Sequence, residues 1–134
     1  MNTTFVWVTS YLEYYIHLGD SRVIKTLRYR YKDKPIVYGF RCLVNGKVYI
    51  GSSLTPDKRF HNHLVTGNNS NAKLQADIAK YGLDNFVAYV FEVVPLSKDM
   101  SFGAKMVALH KIEQSYISQF PKEQLYNRIG SSAS

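Results

Sequence analysis

The sequence lacks the features that mark disulfide-rich, membrane-spanning or exported proteins. Its single cysteine, Cys42, excludes a disulfide framework and a thiolate zinc site. The first 21 residues contain no lysine or arginine, unlike a Sec signal or an arginine-rich organelle-import peptide. No apolar stretch is long enough to cross a bilayer. We therefore expect neither a membrane span nor a translocation signal.

The composition is that of a basic protein with one domain. With 134 residues, of which 46% are hydrophobic, the chain is large enough for one core. Its 17 basic and 10 acidic residues give a net charge of +7, which favours an anionic partner such as nucleic acid. Many soluble proteins are basic, however, so charge alone does not decide between functions.

Residues 1–34 are predicted to form a basic arm that is rich in aromatic side chains. Five cations in it are candidate nucleic-acid contacts: Arg22, Lys25, Arg28, Arg30 and Lys32. If the run from Arg28 to Lys32 is extended, its alternation of cations and tyrosines separates them onto two faces. Such a ribbon would track a phosphate backbone while bases stack on the rings. The alternative is an arm that packs its aromatics on the main domain and leaves its charges in water.

The main domain, residues 35–130, is predicted to open with a β-hairpin and to be followed by a short tail, residues 131–134. Residues 36–44 and 47–50 are apolar and β-prone, and Asn45-Gly46 between them suits a two-residue type I′ turn. Residues 85–94 are typical of a third, buried strand.

Three helices are expected at residues 55–66, 72–81 and 102–120. The first has a capping Thr55 followed by Pro56, and Gly67 is its stop signal. The second ends at Gly82, and the third ends before Pro121. Strands and helices in this order predict an α+β fold, with a small antiparallel three-stranded sheet flanked by helices.

An ordered set of short motifs runs through this domain. In chain order they are Tyr38-Gly39, Tyr49-Ile50-Gly51, Arg59 with His63, Lys73-Leu74-Gln75, Ile112-Glu113 and Tyr126-Asn127. Each is weak alone, because an isolated strand tyrosine usually packs in a core and an isolated helical arginine is usually solvated. In this order and spacing the set resembles the GIY-YIG endonuclease family, especially its intron-encoded homing endonucleases from phages and fungal organelles. The resemblance covers roughly residues 35–130.

The predicted hairpin register places the two motif tyrosines on one face of the sheet. A two-residue turn pairs Val44 with Lys47, so Tyr49 faces Cys42, and Tyr38 points the same way. On the first helix, Arg59 and His63 are separated by four residues and share a face. Two phenols, a guanidinium and an imidazole are therefore expected around one cleft.

The chemistry of phosphodiester hydrolysis matches these side chains. Glu113 is the candidate ligand for Mg²⁺ (or Mn²⁺), because one carboxylate can hold an ion that keeps several waters. Arg59 offers the phosphate a permanently charged donor fork. The resemblance implies that either Tyr38 or Tyr49 is the base, and the sequence does not decide between them.

The resemblance assigns roles to several further residues and has two departures. It implies that His63 hydrogen-bonds near the reacting centre and that Asn127 borders the site. Ile36 and Val37 differ from the first two residues of the family's Gly-Ile-Tyr motif, although the tyrosine remains. Asn69 stands where some homing enzymes have a second histidine. Asn69 and Lys73 are counted with the nucleic-acid contacts.

Two functions remain in competition at this point. The first is a Mg²⁺-dependent DNA endonuclease of the homing type, with a structure-specific repair nuclease as a variant. The second is a catalytically silent domain that binds RNA or DNA within an organellar ribonucleoprotein, such as a mitochondrial ribosome. No separate DNA-recognition element follows the motifs, so little sequence preference is expected. An organelle-encoded, mitochondrial origin is favoured over a bacterial or phage cytoplasm, and the oligomeric state is left open.

Overall fold

The computed structural model describes residues 5–128, which form one antiparallel sheet with helices on both faces. The strands are β1 (Glu13–Tyr15), β2 (Ile36–Cys42), β3 (Val48–Ser53) and β4 (Phe86–Val93), in the order β1-β4-β2-β3. The helices are α1 (Ser21–Tyr31), α2 (Pro56–His61), α3 (Ala72–Tyr81) and α4 (Phe102–Ile117). The α+β prediction is confirmed. The predicted tail at residues 131–134 lies outside the described residues.

The sheet has four strands, so the prediction of three is wrong by one. The additional strand, β1, comes from the segment predicted to be an arm, and it pairs with β4 through Glu13 opposite Val90. The amide of Leu12 also donates to the carbonyl of Val90, at 2.8 Å. Pairing β1 with β4 covers an edge that would otherwise expose unpaired backbone groups.

The condition for a basic-aromatic ribbon, an extended run from Arg28 to Lys32, is not met, because Ser21–Tyr31 is the helix α1. Asp20 caps this helix by accepting a hydrogen bond from the amide of Arg22. Ile24, Leu27 and Tyr31 follow one another at spacings of three and four, and all three are buried. Burial of this apolar stripe outweighs the local alternation of cations and tyrosines.

The hairpin between β2 and β3 has a four-residue loop instead of the predicted two-residue turn. Tyr38 pairs with Gly51 and Phe40 pairs with Tyr49, which shifts the register by two positions. Gly46 has a φ of 76° while Asn45 is not among the residues with positive φ, so the type I′ geometry is absent. A shift by two leaves every side chain on its predicted face.

Strand β2 is buried along its whole length because it is central and both of its faces are covered. On one face, Tyr38 and Phe40 pack with Leu27 from α1 and Phe60 from α2. On the other face, Val37 belongs to a second cluster with α4.

The predicted helices are observed with small changes. The helix that begins at Pro56 widens into a π-helical turn over Asn62–Thr66 and stops at Gly67, where φ is 73°. Helix α3 has its predicted bounds, and α4 ends at Ile117 rather than at residue 120. Among the described residues, no helix is both long enough and apolar enough to span a membrane.

Candidate active site

Tyr38 and Tyr49 project from the same face of the sheet, as predicted. Their ring centroids are 6.4 Å apart, and both side chains are almost completely buried, at 1% and 2% exposure. Gly51 makes room for this arrangement, because a Cβ there would lie 2.6 Å from the Tyr38 hydroxyl oxygen. Burial raises the pKa of both phenols, and that of Tyr38 lies well above its usual value.

His63 joins Tyr38 to the loop that precedes α3. Its Nε2 lies 2.9 Å from the Tyr38 hydroxyl, and its Nδ1 lies 2.6 Å from the hydroxyl of Ser70. Burial, assisted by the charge of Arg59, lowers the pKa of His63 to about 3, so the ring is neutral at physiological pH. π-Helical turns such as the one that carries His63 occur frequently at functional sites.

The donors around His63 select one tautomer. A guanidinium nitrogen of Arg59 lies 3.4 Å from Nε2, and a guanidinium can only donate. With Arg59 and the Tyr38 hydroxyl directed at it, Nε2 is the acceptor nitrogen. Nδ1 then carries the proton and donates to Ser70. Tyr38 therefore donates its hydroxyl to Nε2, which fixes the orientation of the phenol.

Arg59 is held by the loop beyond its own helix. Its other terminal nitrogen donates to the carbonyl of Asn69 at 2.9 Å. Asn69 has a φ of 53°, a left-handed conformation that asparagine tolerates better than most residues. Burial raises the pKa of Tyr38 and Tyr49, and the charge of Arg59 lowers it by a smaller amount. The guanidinium therefore lies within electrostatic reach of both phenols.

Glu113 approaches the site from the opposite face of the sheet. Ser52 on β3 donates its hydroxyl to Oε1 of Glu113 at 2.8 Å. Since β3 is an edge strand, a carboxylate on one face can lie near side chains of the other face around that edge. The Glu113 charge raises the pKa of Tyr38 and Tyr49, which is consistent with this proximity.

One oxygen of the Glu113 carboxylate has no hydrogen-bond partner. Oε2 is buried without a hydrogen bond, and the nearest basic group, Nδ1 of His110, is 3.7 Å away. Burial raises the pKa of Glu113 although the Ser52 hydrogen bond opposes the shift. The carboxylate borders an open cleft of about 660 Å³, which Met106 and Val107 also line.

The unpartnered oxygen makes Glu113 suitable as a cation ligand. The described residues contain no cluster of three or more His, Cys, Asp or Glu side chains that could enclose a metal. One carboxylate beside an open cleft is what Mg²⁺ requires when it keeps several waters and a substrate phosphate as ligands. The residues present therefore fit this ion better than they fit zinc.

Asn127 contacts the backbone of β3. Its amide oxygen accepts from the amide of Ile50 at 2.9 Å, and its amide nitrogen donates to the carbonyl of Ile50 at 2.7 Å. Both polar ends of the side chain are thus used between Tyr49 and Gly51. In this arrangement Asn127 positions the strand that carries Tyr49.

The predicted nucleic-acid contacts lie on several elements. Arg28 joins α1 to the helix that carries Arg59, through hydrogen bonds to the carbonyl of Asp57 and the ring of His61. The other predicted basic contacts are exposed. Arg22 forms an ion pair with Asp20, and Arg30 forms one with Glu13. The exposed lysines are Lys25, Lys32 and Lys73.

Three supporting side chains were not predicted to be site residues. Ser52 holds Glu113, Ser70 holds His63, and Gln75 donates both to the carbonyl of His63 and to the Ser70 hydroxyl. Gln75 lies within the Lys73-Leu74-Gln75 motif, which was the available signal. The serines carry no spacing signal, because their partners are distant in sequence.

Fold and site together define a class of nuclease-like domain. A family model described as the GIY-YIG catalytic domain matches residues 34–127, and the chain belongs to this family.

Two relatives make the relationship more specific. The chain is 35% identical over 114 residues to the probable intron-encoded endonuclease 1 of Neurospora crassa, an alignment that covers 83% of this chain and 35% of that protein. It thus spans about a third of the length of that relative. The catalytic domain of intron endonuclease I-TevI, solved as a Glu-to-Ala mutant, is similar in structure. Its TM-score is 0.56 at 27% identity, over 75% of this chain and 99% of that one.

Proposed function

We propose that this chain is the catalytic part of a DNA endonuclease that hydrolyses phosphodiester bonds with the help of Mg²⁺. The observation that carries the proposal is the buried Glu113 carboxylate, whose Oε2 has no hydrogen bond and whose Oε1 is held by Ser52 on the strand that carries Tyr49. A purely structural glutamate would have both oxygens paired, because an unpaired buried oxygen is costly. The similarity to two intron-associated endonucleases supports the same function.

In this proposal each side chain has one task. Glu113 would hold the metal ion, which supplies charge neutralisation at the phosphate and lowers the pKa of a bound water. Ser52 orients the carboxylate. The guanidinium of Arg59 donates to the phosphate oxygens as their negative charge increases.

Tyr38 is the better placed of the two candidate bases. Its hydroxyl is hydrogen-bonded to the acceptor Nε2 of His63, which orients the phenol. To act as the base Tyr38 must ionise, which burial disfavours and which the charge of Arg59, together with a metal ion at Glu113, would favour. The ring of Tyr49 also packs against His63, with the two ring centroids 5.0 Å apart.

The test is nicking of supercoiled plasmid by the purified chain. We expect nicking in Mg²⁺, its loss in chelator, and a decrease of at least about a hundredfold in Glu113→Gln and Arg59→Ala. Glu123→Gln is the matched control, because it removes the same charge from an exposed carboxylate. If the wild-type chain leaves plasmid intact in Mg²⁺ and Mn²⁺ at neutral and mildly alkaline pH, the endonuclease proposal fails.

We further propose that the gene is of intron-encoded, organellar origin and that the enzyme is of the homing type. The name of the Neurospora relative supports the first part, and the similarity to I-TevI supports the second. A mitochondrial location stays a prediction, and expression of a tagged chain in a fungal host would test it by fractionation.

The silent, ribonucleoprotein-bound alternative also stays a prediction. The basic residues 22–34 favour it, and most of them lie on helix α1 of the domain. Co-sedimentation decides it: a chain that separates from ribosomes and RNA at moderate salt is not a stable component of such a particle.

A further inference from the structure

Arg41 is a buried cation without an anion. It lies on β2, and strand alternation places it on the face opposite Tyr38. Only 4% of its surface is exposed, and its Nε and one terminal nitrogen are sealed from solvent with no hydrogen-bond partner. Its charge is paired with no carboxylate among the described residues. A buried, unpaired guanidinium is costly and requires an explanation.

Trp7, the single tryptophan of the chain, covers this guanidinium. The central carbon of the Arg41 guanidinium lies 4.1 Å from the centre of the indole ring, within cation–π distance. Trp7 is nevertheless 70% exposed. The indole thus contacts the cation while most of its surface faces solvent.

The segment that carries Trp7, which precedes β1, is anchored to the body of the domain. The backbone amide of Val6 donates to the side chain of Gln124 at 2.8 Å, and Gln124 donates back to the Val6 carbonyl at 2.7 Å. The same amide nitrogen of Gln124 also donates to the carbonyl of Gly46 at 3.0 Å. Gln124 itself is completely buried. Trp7 therefore has a defined position beside the hairpin loop.

The remaining nitrogen of Arg41 is directed towards that loop. It lies 3.5 Å from the position that a Cβ on Gly46 would occupy. This nitrogen is not among the side-chain atoms that are both sealed from solvent and unpartnered, and we assign the acceptor to it. A cation and an exposed aromatic ring thus stand side by side at the tip of the hairpin.

We propose that Arg41 and Trp7 bind one unpaired nucleotide of a nucleic-acid strand. A phosphate oxygen accepts from the Arg41 guanidinium, the side chain best suited to phosphate, and the base stacks on the exposed surface of Trp7. A duplex hides the faces of its bases, so the ligand is a single-stranded segment. The net charge of +7 supports an anionic ligand.

This site is separate from the catalytic tyrosines. Arg41 points away from the face that carries Tyr38, and its strand partner is Val48, close to the hairpin loop, whereas Tyr38 pairs with Gly51. The site would hold a strand without taking part in hydrolysis. The inference therefore does not depend on the chain being an active nuclease.

The single tryptophan provides a local readout. Intrinsic fluorescence is followed while a short oligothymidylate is added in chelator and low salt, with a duplex of the same length and inorganic phosphate as comparisons. We expect saturable quenching by the single strand, and weaker effects of the duplex and of phosphate alone. Arg41→Gln should weaken the affinity at least about tenfold, whereas Lys98→Gln, which removes an exposed charge, should leave it unchanged.

A second variant keeps the proposal testable if the first does not fold. If Arg41→Gln does not melt cooperatively, Trp7→Ala, which removes an exposed side chain, is tested by fluorescence anisotropy with a labelled oligonucleotide and should also bind more weakly. Equal binding by wild type and the folded variants overturns the proposal. So does equal quenching by duplex, or by phosphate alone. If the chain nicks plasmid but shows no strand-dependent quenching, this inference fails and the nuclease proposal stands. If it shows the quenching but does not nick, the nuclease proposal fails and this inference stands.

Discussion

Burial controls the protonation of the side chains around Tyr38. The same low-dielectric surroundings raise the pKa of the Tyr38 phenol and lower the pKa of the His63 imidazole to about 3. Both groups are therefore neutral at rest, and the hydrogen bond between them is a donor-to-acceptor contact. Burial therefore disfavours the charged form of each group.

The depressed pKa of His63 predicts a pH-dependent stability. Below pH 6.5 the unfolded chain takes up a proton on this residue, whereas the folded chain does so only near pH 3. The unfolded state thus binds more protons in this window, so stability falls as pH falls. From His63 alone we expect a loss of about 1.4 kcal/mol per pH unit between pH 6 and 4 in urea unfolding.

The His63→Asn variant should lose this slope. His17→Asn is the control, because His17 is exposed and its φ of 60° suits asparagine. A slope that is the same in His63→Asn and in the wild type would show that His63 is not the group responsible.

Gly51 is predicted to tolerate no side chain. In Gly51→Ala the new Cβ would meet the Tyr38 ring at 2.6 Å, so the phenol must shift away from His63. Overpacking of this kind costs about 1–3 kcal/mol of unfolding free energy, and nicking should fall with it. Gly103→Ala is the matched control, because its Cβ meets nothing within 4 Å on a helix, and it should be neutral or slightly stabilising. Equal effects of the two substitutions would contradict the packing argument.

At the scale of elements, α1 has two different faces. Ile24 and Leu27 enter the core beside the sheet, while Lys25 and Lys32 stay in solvent. Arg28 links this helix to α2. One helix thus contributes to the core and also carries positive charge close to the helix that bears Arg59.

Removing the buried face of α1 should destabilise the domain. We expect Leu27→Ala to lower the free energy of unfolding by about 2–5 kcal/mol, since Leu27 is completely buried. Leu12→Ala, at a 58% exposed position that precedes α1, should change the free energy of unfolding by less than about 0.5 kcal/mol. Chemical denaturation measures both. A neutral Leu27→Ala would instead fit an arm that is dispensable for folding.

Removing the exposed charges of α1 should weaken DNA binding without affecting folding. Each phosphate contact contributes about 0.9 to the slope of log K against log salt on duplex DNA. Lys25→Gln with Lys32→Gln should therefore lower the slope by about 1.8 if both contact phosphate. Lys98→Gln with Lys122→Gln removes the same charge elsewhere on the exposed surface. Equal slopes in the two double variants would place the DNA on another face.

At the scale of the whole molecule, the candidate site is assembled around the edge of the sheet. Tyr38 and Arg59 belong to one face, whereas Glu113 belongs to a helix on the other. Strand β3 connects them, through Ser52 on one side and Tyr49 on the other. Asn127 holds that strand by its backbone, so a residue of the C-terminal segment supports both halves of the site.

The sequence by itself determined the fold class, the identities of the candidate site residues and the sheet face of the two tyrosines. Face and helix spacing are local properties, because alternation along a strand and a period of 3.6 residues follow from backbone geometry. The family resemblance also rests on sequence order alone, and it is confirmed.

Tertiary structure alone decided the hairpin register, the helix within residues 1–34 and the fourth strand. Each depends on which distant surface buries an apolar stripe, and Leu27 against the sheet outweighed a local alternation of charge. The same holds for Ser52 beneath Glu113 and Trp7 over Arg41, where the partners are far apart in sequence. Such contacts are set by the packing of the whole chain, and no short pattern encodes them.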